Sequence, residues 1–128
     1  MAEIEALKPQ ARSGDMKVQY ALARLYHTSQ FGSRDLDLAY EWYSKAAEQG
    51  HPVAQYLLGS MYQEGWAGDY DPVEAYKWFT LAHRQRDRVL TDNPKLDTRA
   101  ALDGVGKGMN QDQIKRAEDA VRNWRPNR

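Results

Sequence analysis

The sequence predicts an all-α protein, an α-α superhelix (solenoid) of two helix-turn-helix repeats with a helical cap at each end. The first observation is an internal repeat: residues 14–49 align without a gap on residues 50–85 and share 12 of 36 positions. The second observation is that apolar and aromatic residues recur at steps of three and four, as on amphipathic helices. Repeats of this length stack on one another and expose an elongated surface, which favours binding over enclosed chemistry.

The repeat also indicates the domain organisation. A chain of 128 residues is long enough for one core and short for two. We therefore predict a single domain with four parts: an N-terminal capping helix (1–13), repeat 1 (14–49), repeat 2 (50–85) and a degenerate C-terminal cap (86–128).

Helix start and stop signals place the elements. Asp35 and Asp71 are expected N-caps, Gly50 is suited to the positive φ that ends a helix, and Asn110 with Gln113 forms a capping-box pattern. The predicted helices are 3–12, 16–28, 35–48, 52–64, 71–85, 95–107 and 111–124. The pattern is weakest over residues 87–94, and glycines at 104, 106 and 108 are expected to break the 95–107 helix.

Composition excludes several classes of partner. Lys plus Arg and Asp plus Glu both number 18, so the formal charge is zero and no nucleic-acid partner is expected. The basic runs 83–88 and 122–128 are interpreted as solvated. No run is apolar enough for membrane insertion, and residues 1–7 do not resemble a signal peptide. We expect a cytoplasmic protein, with a periplasmic location left open if a native leader has been removed.

The sequence shows no pattern that predicts catalysis. It contains no cysteine, which excludes disulfides and thiolate chemistry. His27, His51 and His83 lack the spacing of metal ligands. The glycine-rich stretch 104–108 lacks the ending of a phosphate-binding loop and is interpreted as a turn. We expect no catalytic residue, no cofactor and no metal.

Aromatic residues that recur with the repeat are interpreted as core. They are Tyr26, Tyr40, Trp42, Tyr43, Tyr62, Tyr76, Trp78 and Phe79. Trp66 differs, because it follows Gly65 in a loop and has no aromatic counterpart in repeat 1. It is therefore either a loop anchor for a partner or a side chain folded back on its hairpin.

The stretches 39–50 and 54–65, followed by Asp71, Ala75 and Trp78, resemble the Sel1-like repeat family, a relative of tetratricopeptide repeats. The run 109–114 resembles the closing helix of its bacterial members. The resemblance implies an α-α solenoid that acts as an adaptor between proteins. Cysteine-rich members with penicillin binding differ from this chain, which lacks the cysteines that clip their hairpins.

We therefore predict a non-catalytic module whose concave groove binds a peptide or helix of another protein, with homo-oligomerisation left open. In two-helix solenoids the first helix of each unit lines the groove. The predicted groove residues are Lys17, Tyr20, Arg24, His27, Val53, Tyr56, Ser60 and Gln63. The alternative, by analogy with the cysteine-rich relatives, is a cell-wall or β-lactam-type ligand binder or hydrolase.

Overall fold

The computed structural model describes residues 2–28, 35–65 and 70–126, and within these ranges every regular element is a helix. This confirms the predicted all-α class. The helices are α1 (Ala2–Arg12), α2 (Met16–Thr28), α3 (Leu36–Glu48), α4 (Pro52–Glu64), α5 (Pro72–His83), α6 (Arg86–Asp92), α7 (Thr98–Gly106) and α8 (Gln111–Asn123). In each repeat the two helices pack as a hairpin, α2 on α3 and α4 on α5, and α3 packs on α4 between the repeats.

The turns that join successive units have the same geometry. Gly14 and Gly50 both have φ of 103°, a left-handed conformation that glycine adopts without strain. Gly14 donates its backbone N–H to the carbonyl of Ala11 (3.1 Å), and Gly50 donates to that of Ala47 (3.0 Å). The end of α1 is thus equivalent to the end of α3, so α1 is the capping half-unit that the sequence predicts.

The predicted helix caps are confirmed. Asp35 and Asp71 each accept a hydrogen bond from the backbone N–H three residues later, at 3.0 and 3.1 Å. Asn110 and Gln113 form the reciprocal capping box, with bonds of 2.8 and 3.0 Å. These side chains satisfy N–H groups that have no partner inside the helix, which fixes where α3, α5 and α8 begin.

Half of the eight repeated aromatics are buried in the core, as predicted, and the other four pack against it. The hairpin contacts centre on Leu22 and Leu58, whose side chains are buried at equivalent positions. Trp42, Tyr43, Trp78 and Phe79 are also buried, and the tyrosines at 26, 40, 62 and 76 pack against them partly exposed.

Two glutamine side chains are buried at equivalent positions of the two repeats. Gln19 is 4% exposed and Gln55 is 0% exposed. The amide Nε2 of Gln19 donates to the carbonyl of Ala11 (3.0 Å), and that of Gln55 donates to the carbonyl of Ala47 (3.2 Å). Each first helix is therefore bonded to the end of the helix before it, at a carbonyl near the helix C-terminus.

A second pair of glutamines completes this network. Gln49 donates from Nε2 to Oε1 of Gln19 at 2.8 Å. Gln85 donates to the carbonyl of Gly50 at 2.9 Å and, over a longer 3.4 Å, to Oε1 of Gln55. We call Gln19, Gln49, Gln55 and Gln85 the glutamine network. It joins the helix ends on the side of the solenoid where successive units connect, which we call the turn edge.

The C-terminal cap differs from the prediction. The expected 71–85 helix ends at His83, and the segment of weakest pattern forms α6, which packs on α4 and buries Val89. Helix α7 begins at Thr98 rather than at 95. Gly104 lies inside it without breaking it, and the helix ends at Gly106. A Cβ at Gly106 would lie 3.6 Å from the Tyr76 ring, which is an ordinary packing distance.

One glycine sets the distance between α4 and α5. A Cβ added to Gly59 would lie 2.8 Å from Cδ1 of Phe79, which is too close for an undisturbed core. We predict that Gly59→Ala lowers the free energy of unfolding by about 1–3 kcal/mol, because the buried ring must move. Urea denaturation followed by circular dichroism measures this. Gly108→Ala is the control, since its Cβ would approach no atom closer than 4.0 Å. Equal effects of the two substitutions would contradict the prediction.

Candidate functional site

Helix α2 holds an arginine in a fixed position at the surface. Arg24 is exposed, and its Nη1 donates to the hydroxyl of Tyr20 at 3.1 Å. The guanidinium carbon also lies 6.0 Å from the centre of that ring. Tyr20 in turn stacks on the imidazole of His51, with the ring centres 4.3 Å apart and the planes 21° from parallel. The exposed cation is thus supported by two stacked rings, one from each repeat.

His51 has a structural role that its sequence does not announce. It is the N-cap of α4, and its Nδ1 accepts a hydrogen bond from the backbone N–H of Ala54 at 3.1 Å. Burial lowers the pKa of His51, and the charge of Lys17 lowers it further, while the carboxylate of Asp92 opposes this shift. The neutral ring is the form that can accept the capping bond and stack on Tyr20.

The end of α6 brings a carboxylate to the same place. Burial raises the pKa of Tyr20, and Asp92 raises it further. The pKa of Arg24 is raised chiefly by its hydrogen bond to Tyr20, with a smaller contribution from Asp92. We call Tyr20, Arg24, His51 and Asp92 the Arg24 cluster. The sequence predicted Tyr20 and Arg24, but it gave no signal for Asp92, because α6 was not predicted.

His27 lies beside the cluster and contacts the core. Its Nδ1 is 3.0 Å from the hydroxyl of Tyr43, and the two rings meet edge to face at 5.8 Å. Burial raises the pKa of Tyr43, and Tyr20 adds to the effect. The imidazole of His27 therefore gives the buried hydroxyl of Tyr43 a hydrogen-bond partner near the α2 surface.

The residues predicted from the second repeat are less accessible. Val53 is 1% exposed, so its side chain offers no surface to a partner in the predicted groove. Tyr56 packs on Phe79, with ring centres 5.3 Å apart, and burial raises its pKa. Gln63 lies against α7, 3.9 Å from the Cβ position of Gly104. Ser60 and Gln63 are half-buried. The predicted anchor Trp66 lies outside the described residues.

The other close polar pair at a histidine is not accessible to a substrate. His83 Nδ1 lies 2.7 Å from the hydroxyl of Thr98, but Thr98 is 5% exposed and a substrate cannot reach it. Over the described ranges no three His, Cys, Asp or Glu side chains are grouped as metal ligands would be. No helix in these ranges has the length and apolar character needed to cross a membrane.

The exposed guanidinium of Arg24 is suited to binding a carboxylate. No contact around it favours the β-lactam alternative.

The lowered pKa of His51 leads us to predict how the free energy of unfolding depends on pH. Because the folded-state pKa lies below the ordinary value of 6.5, the folded state prefers the neutral ring. The neutral His51 ring therefore contributes fully to the free energy of unfolding above about pH 6.5. This contribution is lost as the pH falls through the folded-state pKa of His51. His51→Asn retains a capping oxygen and cannot titrate. We predict that the wild type loses more unfolding free energy than this variant between about pH 7.5 and about pH 5. His27 and His83 remain in both proteins, so identical losses would contradict the prediction.

The chain is similar to known proteins in both sequence and structure. The model of the family described as Sel1 repeat matches residues 17–51 and 52–87. No curated protein matches the chain. The chain is similar to the crystal structure of c5321, described as a protective antigen present in uropathogenic Escherichia coli strains and displaying an SLR fold. The TM-score is 0.75 at 26% identity, over 94% of this chain and 24% of that one.

A second solved structure is similar over nearly its whole length. It is a Sel1 repeat protein from Oxalobacter formigenes, with a TM-score of 0.63 at 24% identity, covering 92% of this chain and 88% of that one. This likeness concerns the fold. Proteins built from Sel1 repeats are generally protein-interaction modules and are typically non-catalytic. Since the two matched repeats span more than half of the sequence, the chain belongs to the Sel1 repeat family.

Proposed function

We propose that this chain is a non-catalytic interaction module that binds a carboxylate-bearing peptide or helix of a partner protein at the Arg24 cluster. The observation that carries the proposal is the exposed guanidinium of Arg24, held by Tyr20 at 3.1 Å above a stacked pair of rings. A cation that is already positioned loses little conformational entropy when a carboxylate binds to it. Charge-assisted bonds from arginine to carboxylate are also stronger than neutral hydrogen bonds.

The local charge supports an acidic ligand. Lys17 and Arg24 are both exposed, and neither forms an ion pair with another described residue. Among the described residues Asp92 is the one carboxylate that shifts the pKa values of Tyr20 and His51, and His51 favours its neutral form. The surface therefore keeps a positive charge although the whole chain has none. A partner carboxylate would meet two cations and the hydroxyl of Tyr20.

The proposed surface is smaller than the groove predicted from the sequence. Tyr56 and Gln63 serve packing in the second repeat, and Val53 is buried. The two cations Lys17 and Arg24, on a module of only two repeats, offer a partner a limited contact area. We therefore expect dissociation constants of about the micromolar order for a short peptide.

The experiment compares two double charge reversals of matched size. Lys17→Glu/Arg24→Glu changes the proposed surface, and Arg99→Glu/Lys115→Glu changes two exposed cations on α7 and α8. Each variant and the wild type are immobilised and used to capture proteins from a lysate of the source organism. Affinity for each captured protein is then measured by fluorescence anisotropy. We predict that the first variant weakens binding about tenfold or more, because attraction becomes repulsion, while the second binds like the wild type.

The same measurement can contradict the proposal. If every captured protein binds both variants with the affinity of the wild type, the Arg24 cluster is not the binding surface. Thermal melts of the three proteins test whether unfolding causes a loss of binding. We expect similar melting temperatures, because all four substituted side chains are exposed.

A further inference from the structure

The turn edge carries two cavities that are related by the repeat. The first, of about 510 Å³, is lined at its rim by Arg12, Lys45 and Glu48. The second, of about 410 Å³, has Leu81 and Arg84 at the positions that correspond to Lys45 and Glu48. Members of the glutamine network line both cavities. The backbone of each unit therefore creates a hollow, and the side chains at its rim are free to differ between repeats.

The second cavity carries more positive charge than the first. Where the first has the acidic Glu48, the second has Arg84, and Arg88 of α6 adds another cation. An adjoining hollow shares Arg84 and Arg88 and adds Arg86, beside a single carboxylate from Asp87. None of these arginines forms an ion pair with a described residue. A local excess of cations thus lies on a protein whose formal charge is zero.

The other wall of the second cavity is apolar. It is formed by Met16, Leu81, Trp124 and Pro126. The indole of Trp124 is fixed by an edge-to-face contact with Trp78, with ring centres 6.3 Å apart. Its Nε1 is buried and has no acceptor among the described residues, which is costly for a donor. The cavity therefore combines two arginines with apolar side chains, among them the fixed indole of Trp124.

We infer that this cavity, the Arg84 cavity, is a second binding site, and that it takes a peptide segment of a partner protein in which an acidic residue adjoins an apolar one. The carboxylate would lie between Arg84 and Arg88, where two guanidinium groups can donate to it. The apolar side chain would lie against Leu81 and Trp124. A volume of about 410 Å³ is within the range of ligand pockets and suits one or two side chains.

The features of the cavity favour a peptide over a nucleic acid. Binding to a phosphate backbone needs cations spaced along an extended path. Here Arg84 and Arg88 line one cavity, and Asp87 lies among the arginines of the adjoining hollow. Half of the cavity wall is apolar, which a chain of phosphates would not use. The site is separate from the Arg24 cluster and shares no residue with it, so either proposal can fail alone.

The test uses acidic peptides as the probe. An array of acetylated octapeptides, in which Glu or Asp precedes Leu, Ile or Phe at the centre, is screened against the full chain at about 0.15 M salt. The strongest binder is then measured by fluorescence anisotropy. We expect Arg84→Glu/Arg88→Glu to weaken it about tenfold or more. The repeat-matched control, Arg12→Glu/Lys45→Glu, changes the first cavity and is expected to bind like the wild type.

A second readout does not depend on any variant. In two-dimensional NMR spectra of the labelled wild type, the indole N–H signal of Trp124, assigned with Trp124→Phe, should move on titration with the peptide. Binding that leaves this signal in place and survives Arg84→Glu/Arg88→Glu would overturn the inference. Absence of any octapeptide that binds at millimolar concentration would overturn it too. A single-stranded oligonucleotide that binds the cavity more tightly than every peptide would replace the peptide by a nucleic acid and overturn the assignment.

Discussion

The side-chain amides of Gln19 and Gln55 are buried, and each must find its hydrogen bonds inside the protein because water does not reach it. Each amide donates to a backbone carbonyl near the end of the preceding helix and accepts from a glutamine at the end of the following one. Three helix ends are therefore held by one side chain. A shift of one unit against the next would leave these groups unpaired, so the network fixes the register in which the repeats stack.

Both candidate binding surfaces depend on this register. At the turn edge the glutamine network supplies the inner surface of the cavities, which leaves the rim free to carry Glu48 in one and Arg84 in the other. On the α2 surface the packing of repeat 2 on repeat 1 places the N-cap of α4 against Tyr20. In the first repeat the equivalent cap is Asp15, which accepts from the N–H of Lys17 at 3.0 Å. In the second repeat it is His51, whose ring both caps α4 and supports Arg24.

Much of the fold could be predicted because its signals are local. Asp35, Gly50 and Asn110 act through hydrogen bonds or dihedral angles within a few residues, and the structure confirms the helix ends they predict. The two Sel1 repeat matches cover nearly the same residues as the two repeats that the internal alignment predicts. The glutamine network was not predicted, although identical glutamines recur at the same positions of both repeats. Nothing within one repeat shows that these glutamines are buried, because that depends on the contact between units.

The candidate site was less predictable because α6 and α7 depart from the repeat. The sequence analysis assumed that the first helix of each repeat lines the groove. On that basis it included Val53, which is buried in the structure. Asp92 has no counterpart in the repeat alignment, and only the path of α6 brings it near Tyr20 and Arg24. The position of an irregular segment depends on tertiary contacts such as that of the buried Val89, which a single sequence does not specify.

A double-mutant cycle on Gln19 and Gln49 tests the central claim most directly. These side chains share a 2.8 Å hydrogen bond, and Gln19 also bonds to the carbonyl of Ala11. Unfolding free energies are measured for Gln19→Ala, Gln49→Ala and the double variant, with the exposed Gln111→Ala as reference. We expect the two effects to be non-additive by about 0.5–3 kcal/mol. Additive effects no larger than that of Gln111→Ala would show that the glutamine network does not couple the helix ends that it joins.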